Sequence, residues 1–257
     1  MQAQSKIAVA GATGRLGRHV VDVLQERGHQ VVPMSRSTGV DLITRDGLEE
    51  ALQGVDCVID SATQPTNDMQ AATDFFTASA RNLHEVGERA GVAQIVVVSI
   101  IGCDRFSGGF LAGKAAHERA VSSGAIPVRL LRAAQFHEFL SQMVDWGTQG
   151  DVARVPEMRT QIVAARSVAE ALADMAATAA PEADGPIPEI AGPREESLVE
   201  LATLFASSRR DGLRVEGVSD PADPDRELYE NDGLLPGPHA TLAGPTFEEW
   251  LEAGADA

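Results

Sequence analysis

The feature that most constrains this chain is Gly11-Ala12-Thr13-Gly14-Arg15-Leu16-Gly17, placed directly after the apolar run Ile7-Ala8-Val9-Ala10 and opening a helical pattern. Its glycine spacing is GxxGxxG. Gly11 permits a tight turn, Gly14 lets backbone approach a pyrophosphate, and Gly17 lets the helix pack close to the strand. The helix N-terminus then offers N–H groups and a partial positive charge to phosphates. In strand–loop–helix order this predicts dinucleotide binding, with Thr13, Arg15 and Leu16 carried in the same loop.

The pattern continues. Val31-Val32, Cys57-Val58-Ile59, Ile95 to Ile101 and Ile126 to Leu131 are short apolar runs of the kind found in strands buried on both faces, and helical patterns separate them. Gly28 follows the helical stretch Leu16–Arg27, as a left-handed C-terminal glycine should. Asp46 with Glu49, and Asn67 with Gln70, have capping-box spacing at the next two helix starts. The rhythm predicts an α/β chain with a Rossmann-type, doubly wound parallel sheet over residues 1–132. From 133 to 257 the connections lengthen and become proline-rich, with capping-box spacing at Ser167/Glu170, Ser197/Glu200 and Thr246/Glu249. This half reads as a smaller substrate-binding lobe packed on the core as a single compact unit.

Cofactor choice should be written at the end of the second strand, where an acid meets a free ribose 2′-hydroxyl and an arginine accommodates a 2′-phosphate. This chain has Ser35-Arg36-Ser37 there, which favours NADP(H) over NAD(H); Arg36 as a solvated strand-end charge is the alternative. Arg15 can reach the same group. By position, Asp41 and Leu42 fall near the adenine, and Ser61, Ala62 and Thr63 run along the cofactor.

Composition bears on partners. Lys+Arg number 21 against 38 Asp+Glu, a net charge of -17, and no basic patch offsets it, so nucleic acid is not an expected partner. No apolar run reaches the roughly 18 residues of a spanning helix, and the opening MQAQSK leads straight into a strand, so the expectation is a cytoplasmic protein without membrane attachment. Cys57 and Cys103 stand apart and suggest neither a disulfide framework nor a metal site. A small-molecule substrate is expected, with a protein partner or a homo-oligomer left open.

Taken together, GATGRLG, Ser35-Arg36-Ser37, GVDCVIDSAT, VVVSI, GKAAHERAV, VRLLRAAQFHEFL and TFEEWL resemble the NmrA-like family of atypical short-chain dehydrogenases/reductases, along essentially the whole chain. The resemblance implies NAD(P) binding. It spans NADPH-dependent quinone reductases, isoflavone-reductase-like enzymes and non-catalytic proteins that sense nicotinamide redox state through a partner.

Short-chain dehydrogenases place a serine at a strand end and Tyr-x-x-x-Lys on the next helix. Ser99 and Lys114 match; four residues before Lys114 stands Phe110, and the sole tyrosine is the distant Tyr229. Without that phenol, ordinary ketone chemistry lacks its proton donor, whereas a quinone delocalises the developing oxyanion. Candidate catalytic residues are therefore Lys114, Ser99 and His137, with Ser99 and Lys114 also counted as cofactor ligands. The expected function is NADPH-dependent hydride transfer to a quinone or similar conjugated carbonyl. The alternatives are a non-catalytic NADP(H) redox sensor and, more remotely, an epimerase that retains its nicotinamide.

Overall fold

A computed structural model describes residues 4–178, 185–209 and 212–254. It divides into two units, the first formed by residues 1–99, 108–132 and 168–187 and the second by 100–107, 133–167 and 188–257.

In the first unit, strands β1 (Lys6–Ala10), β2 (Gln30–Met34), β3 (Cys57–Asp60), β4 (Gln94–Ile100) and β5 (Val128–Ala133) follow the spatial order β5-β4-β3-β1-β2. The β1–β2, β1–β3 and β3–β4 pairs are parallel. Helices α1 (Arg15–Glu26), α2 (Leu48–Ala51), α3 (Met69–Ala90) and α4 (Gly109–Ser122) supply the crossovers. Ala8 and Ala10 of β1 belong to one apolar cluster with Leu48, Leu83 and Val121 of α2, α3 and α4. Ile7 and Val9 are equally buried yet lie outside that cluster, because alternate strand residues face opposite sides. The sheet is therefore covered on both faces, and the fold is the expected Rossmann-type α/β arrangement.

Helix ends show where local chemistry was legible. Gly28 sits at φ +80, and the N–H groups of Gly28 and His29 return to the carbonyls of Gln25 and Leu24, closing α1 as expected. The cap of α3 lies one residue later than its capping-box spacing predicts: Asp68, not Asn67, accepts the Ala71 N–H at 2.7 Å. Gly47, not Asp46, occupies the N-cap of α2.

The second unit carries helix α5 (His137–Gly147) against a three-stranded sheet of β6 (Thr148–Gln149), β7 (Val152–Pro156) and β11 (Arg214–Val218), together with α7 (Leu198–Arg209). Two short pairs accompany it, β8 (Arg159–Thr160) with β10 (Glu196–Ser197), and β9 (Glu189–Ala191) with β12 (Thr241–Leu242). Helix α6 (Ala165–Ala176) begins in this unit and enters the first at Val168. Asp225 takes the Ser107 N–H and hydroxyl, each at 2.8 Å, tying residues 100–107 to the start of α8 (Arg226–Glu230). The capping box expected at Thr246/Glu249 is present and starts α9 (Phe247–Glu252). Among the described residues no helix is long and apolar enough to cross a membrane.

Candidate functional site: the glycine loop and a buried charge cluster

Strand β1 lies between β2 and β3, so the connections after β1 and β3 diverge at a topological switch, where doubly wound sheets bind ligands. The two loops touch there. Gly11 has φ +75, and a Cβ on it would fall 2.8 Å from Ala62 Cα and from the Ser61 carbonyl oxygen. Its N–H donates to the Met34 carbonyl at 3.0 Å, anchoring the turn on β2. A Cβ on Gly17 would lie 2.0 Å from the Gly11 carbonyl oxygen, so α1 can pass beneath the loop only with glycine there. Gly14 is the N-cap of α1, and neither a side-chain cap nor an acidic residue occupies the first turn. Such an end is suited to an anion.

Around this cradle the other predicted positions fall as follows. Thr13, Gly14 and Arg15 are exposed along the loop, while Leu16 is buried and anchors α1 in the core. Arg36 opens a short 3-10 turn, Arg36–Thr38, capped by the Ser35 side chain; it is exposed and makes no ion pair among the described residues. Asp41 folds its own turn, with Oδ1 accepting the Ile43 and Thr44 N–H groups at 2.7 and 3.1 Å. Leu42 is core, and its carbonyl takes the Asn82 amide at 2.7 Å. Ser61 donates its hydroxyl to the Ala10 carbonyl at 2.7 Å, Ala62 is half-buried, and Thr63 is exposed.

Ser99 is buried on β4. Lys114, on α4, is 5% exposed, which is unusual for a lysine. Its Nζ donates to the Val98 carbonyl at 2.9 Å and to His117 Nδ1 at 3.1 Å, and lies 4.6 Å from the centre of the Phe76 ring. His117 stacks on that ring, with centroids 4.8 Å apart, and Phe110 meets the same ring edge-on. On its other side, His117 Nε2 faces Asp60 Oδ2 at an ion-pair distance of 3.2 Å. Asp60 Oδ1 accepts the Ala62 N–H at 3.0 Å. Asp60 and His117 are each 1% exposed.

The proton inventory follows from the partners. With Lys114 as the donor, Nδ1 accepts, which leaves the ring hydrogen on Nε2; that nitrogen lies 3.2 Å from Asp60 Oδ2 without the alignment of a hydrogen bond. Burial raises the Asp60 carboxyl, but the His117 ring, the Ala62 N–H and the Lys114 charge outweigh it, and the group titrates below its ordinary value. Burial and the neighbouring Lys114 charge push His117 down against the pull of Asp60 and Glu118. The cluster is thus a carboxylate, an imidazole held toward its neutral form and a lysine amine in series. Glu118, next along α4, is engaged by Arg132 through two hydrogen bonds of 2.9 and 2.7 Å.

Sequence reasoning found Lys114 and missed Asp60 and His117. The signals were present: a carboxylate, Asp60, closing the apolar run Cys57-Val58-Ile59, and a Lys-x-x-His spacing that puts both side chains on one helix face.

The second unit holds His137, 1% exposed. Its Nε2–H donates to the Ile162 carbonyl at 3.2 Å, and its ring packs edge-on against Phe247 and Trp250. Burial lowers it to about 4, so near neutrality it carries no second proton to give. Its neighbours in the QFHEF motif are also engaged in packing. Glu138 accepts the Ala165 N–H with both carboxylate oxygens, and the Gln135 side-chain oxygen accepts the Thr160 hydroxyl at 2.5 Å. Tyr229 lies against Phe106, with its phenol pushed up to about 12 by burial.

Residues 11–179 match a family model described as NAD(P)H-binding. A curated relative, the photosystem II assembly factor Ycf39 of Synechocystis sp. (strain ATCC 27184 / PCC 6803 / Kazusa), is 28% identical over 110 residues, covering 37% of this chain and about a third (34%) of that protein. Solved structures share the fold. One is the NAD-dependent NDP-hexosamine 5,6-dehydratase TunA, involved in tunicamycin biosynthesis, with TM-score 0.69, 15% identity and 97% and 98% of the two chains covered. Another is dTDP-4-dehydrorhamnose reductase from Bacillus anthracis str. Ames in complex with NADP, with TM-score 0.69, 16% identity and 98% of each chain covered. A third is MoeE5 in complex with UDP-glucose and NAD, with TM-score 0.67, 18% identity and 97% and 99% covered.

Proposed function

Because this chain belongs to the NAD(P)H-binding family, we propose that it is an NADPH-dependent oxidoreductase of the NmrA-like kind, acting on a quinone or similar conjugated carbonyl compound in the cytoplasm. The residues present fit such a cofactor: the loop at Gly11 and Gly17 is a cradle that any Cβ would fill, and no side chain caps the helix end beneath it. When bound, NADPH supplies a hydride from its nicotinamide ring. The chain's part is to hold and orient. The amides of the glycine loop and the start of α1 take the diphosphate, Arg15 and Arg36 take the 2′-phosphate, and Ser61 to Thr63 line the path. Asp41 and Leu42 border the adenine, while Lys114 and Ser99 meet the nicotinamide ribose.

The observation that carries the substrate class is Phe110 in the helix position four before Lys114, half-buried against Phe76. A side chain without a hydroxyl gives no proton to a localised alkoxide, so the acceptor must spread its own charge, as a quinone does. His137 has no part in this chemistry on the present reading.

Two measurements test it. Purified protein with NADPH should reduce members of a quinone panel and leave simple ketones untouched; tight NADPH binding with no turnover of any quinone or enal would end the reading. Arg36→Glu should weaken NADPH by about 10- to 100-fold, the worth of one charge-assisted phosphate contact, and leave NADH within a few-fold.

The same Phe110 also favours a second reading, a redox-sensing NADP(H)-binding protein that works through a protein partner. It requires clearly different affinities for NADP+ and NADPH, and equal affinities by calorimetry would remove it.

A further inference from the structure

The reading above uses Lys114 and leaves Asp60 and His117 without a task. Buried ionisable groups are costly unless the structure needs them, and three adjoining ones at 5% exposure or less call for a reason. The order of the contacts supplies it. A lysine side chain has four rotatable carbon links, so its ammonium holds a direction only where several acceptors or faces fix it. Here a strand carbonyl (Val98), an imidazole nitrogen (His117) and an aromatic face (Phe76) fix it from β4, α4 and α3. The imidazole can accept only if its other nitrogen holds the ring hydrogen. Asp60 Oδ2 lies 3.2 Å from that nitrogen, close enough for its charge to favour the hydrogen there though the two are not aligned as a hydrogen bond, and the same carboxylate holds the Ala62 N–H in the loop that meets Gly11.

We propose that Asp60 and His117 are positioning residues that orient the Lys114 ammonium for the bound nicotinamide cofactor, with Asp60 selecting the His117 tautomer and His117 fixing the Lys114 direction. This rests on the reading that Lys114 meets the cofactor. It makes the cluster a fixed cation holder standing where the helix lacks a phenol at Phe110. The charged and titratable groups around it are Asp60 on β3 and His117 and Glu118 on α4, with Glu118 held by Arg132 of β5.

The test is a double-mutant cycle on NADPH affinity, with circular dichroism on each variant and nitrogen NMR of the His117 ring. Lys114→Met should weaken NADPH about tenfold; if it binds as wild type does, the assignment of Lys114 to the cofactor fails and this proposal falls with it. Given that loss, Asp60→Asn should weaken NADPH by a similar factor alone and add less than twofold in the Lys114→Met background. Fully multiplicative losses would overturn the positioning role while leaving Lys114 as a ligand. The NMR should show the Nε2–H tautomer in the wild type and a mixture in Asp60→Asn; an unchanged tautomer also counts against the proposal. His117→Gln, whose amide oxygen can still accept from the ammonium, should keep affinity within about threefold of wild type. His117→Phe should match Lys114→Met, and equal losses in the Gln and Phe variants would again overturn it. Asp60→Asn retains a polar group, and should it fail to fold, the His117→Gln and His117→Phe pair decides the question.

Discussion

His117 in the first unit and His137 in the second are both 1% exposed, and both are held neutral by burial, yet their surroundings are of opposite kinds. His117 stands between a carboxylate and an ammonium, on side chains brought by two elements distant in sequence. His137 gives one hydrogen to a backbone carbonyl and packs on two aromatic rings, and its Nδ1 is buried with no hydrogen-bond partner among the described residues. Burial alone therefore says little about what a histidine does. The charge of its partners decides, because a carboxylate and a lysine amine place charge on both sides of the ring, whereas a carbonyl fixes one hydrogen and the aromatic rings only a shape.

The largest test of that contrast removes a charged partner. Asp60→Leu should cost about 3–5 kcal/mol in a urea titration, since it strands an ammonium in a buried cluster. Replacing all three members by apolar residues of similar volume (Asp60→Leu, His117→Phe, Lys114→Met) should return most of that stability while NADPH binding stays weak. If the single variant loses under about 1 kcal/mol, the three buried groups do not depend on one another's charge and the contrast collapses.

Next in size is pH. Both rings titrate below the unfolded value near 6.5, so the unfolded chain binds their protons first and stability falls as pH drops beneath that value. For His137 the window closes near 4, and the loss across it is on the order of 3 kcal/mol. Asp60, also depressed, stabilises the fold above the ordinary carboxylate range and loses that contribution only at lower pH still. His137→Gln, which can still donate to Ile162, should flatten the stability curve between about pH 6.5 and 4. A curve as steep as that of the wild type would show that His137 protonates freely in the folded state.

A smaller effect is expected at Glu138. Glu138→Gln weakens the carboxylate that receives the first amide of α6, and a loss of about 1 kcal/mol by thermal unfolding is expected, as for other helix caps. No change at all would mean that Glu138 does not cap α6. The smallest effect should be that of His137→Gln on NADPH-dependent turnover, within about twofold; a hundredfold loss would restore it as a proton donor.

How far the sequence reaches can be seen residue by residue. Apolar runs and glycines announced the parallel sheet and the turn after β1, because strand burial and a positive φ are demands met by a few adjacent residues. Thr246/Glu249 was legible for the same reason, while the α3 cap slipped by one because Asn67 and Asp68 are both competent caps. The glycine loop could be named from spacing, which also singled out Arg36 and Lys114 as the proposed cofactor ligands. What spacing could not supply was the meeting of Asp60 with His117, 57 positions apart, since that contact exists only once β3 and α4 are laid side by side.

The sequence by itself thus determined a Rossmann-type fold with a dinucleotide cradle at its N-terminus, together with the absence of a phenol at position 110. Only the tertiary structure decided that Lys114 is buried beside His117 rather than on the surface, and that His137 is packed against Phe247 and Trp250. The physical reason is common to both. Local propensity and glycine geometry are properties of neighbours in the chain, but the charge state and direction of a side chain are set by whatever the fold brings within about 4 Å of it.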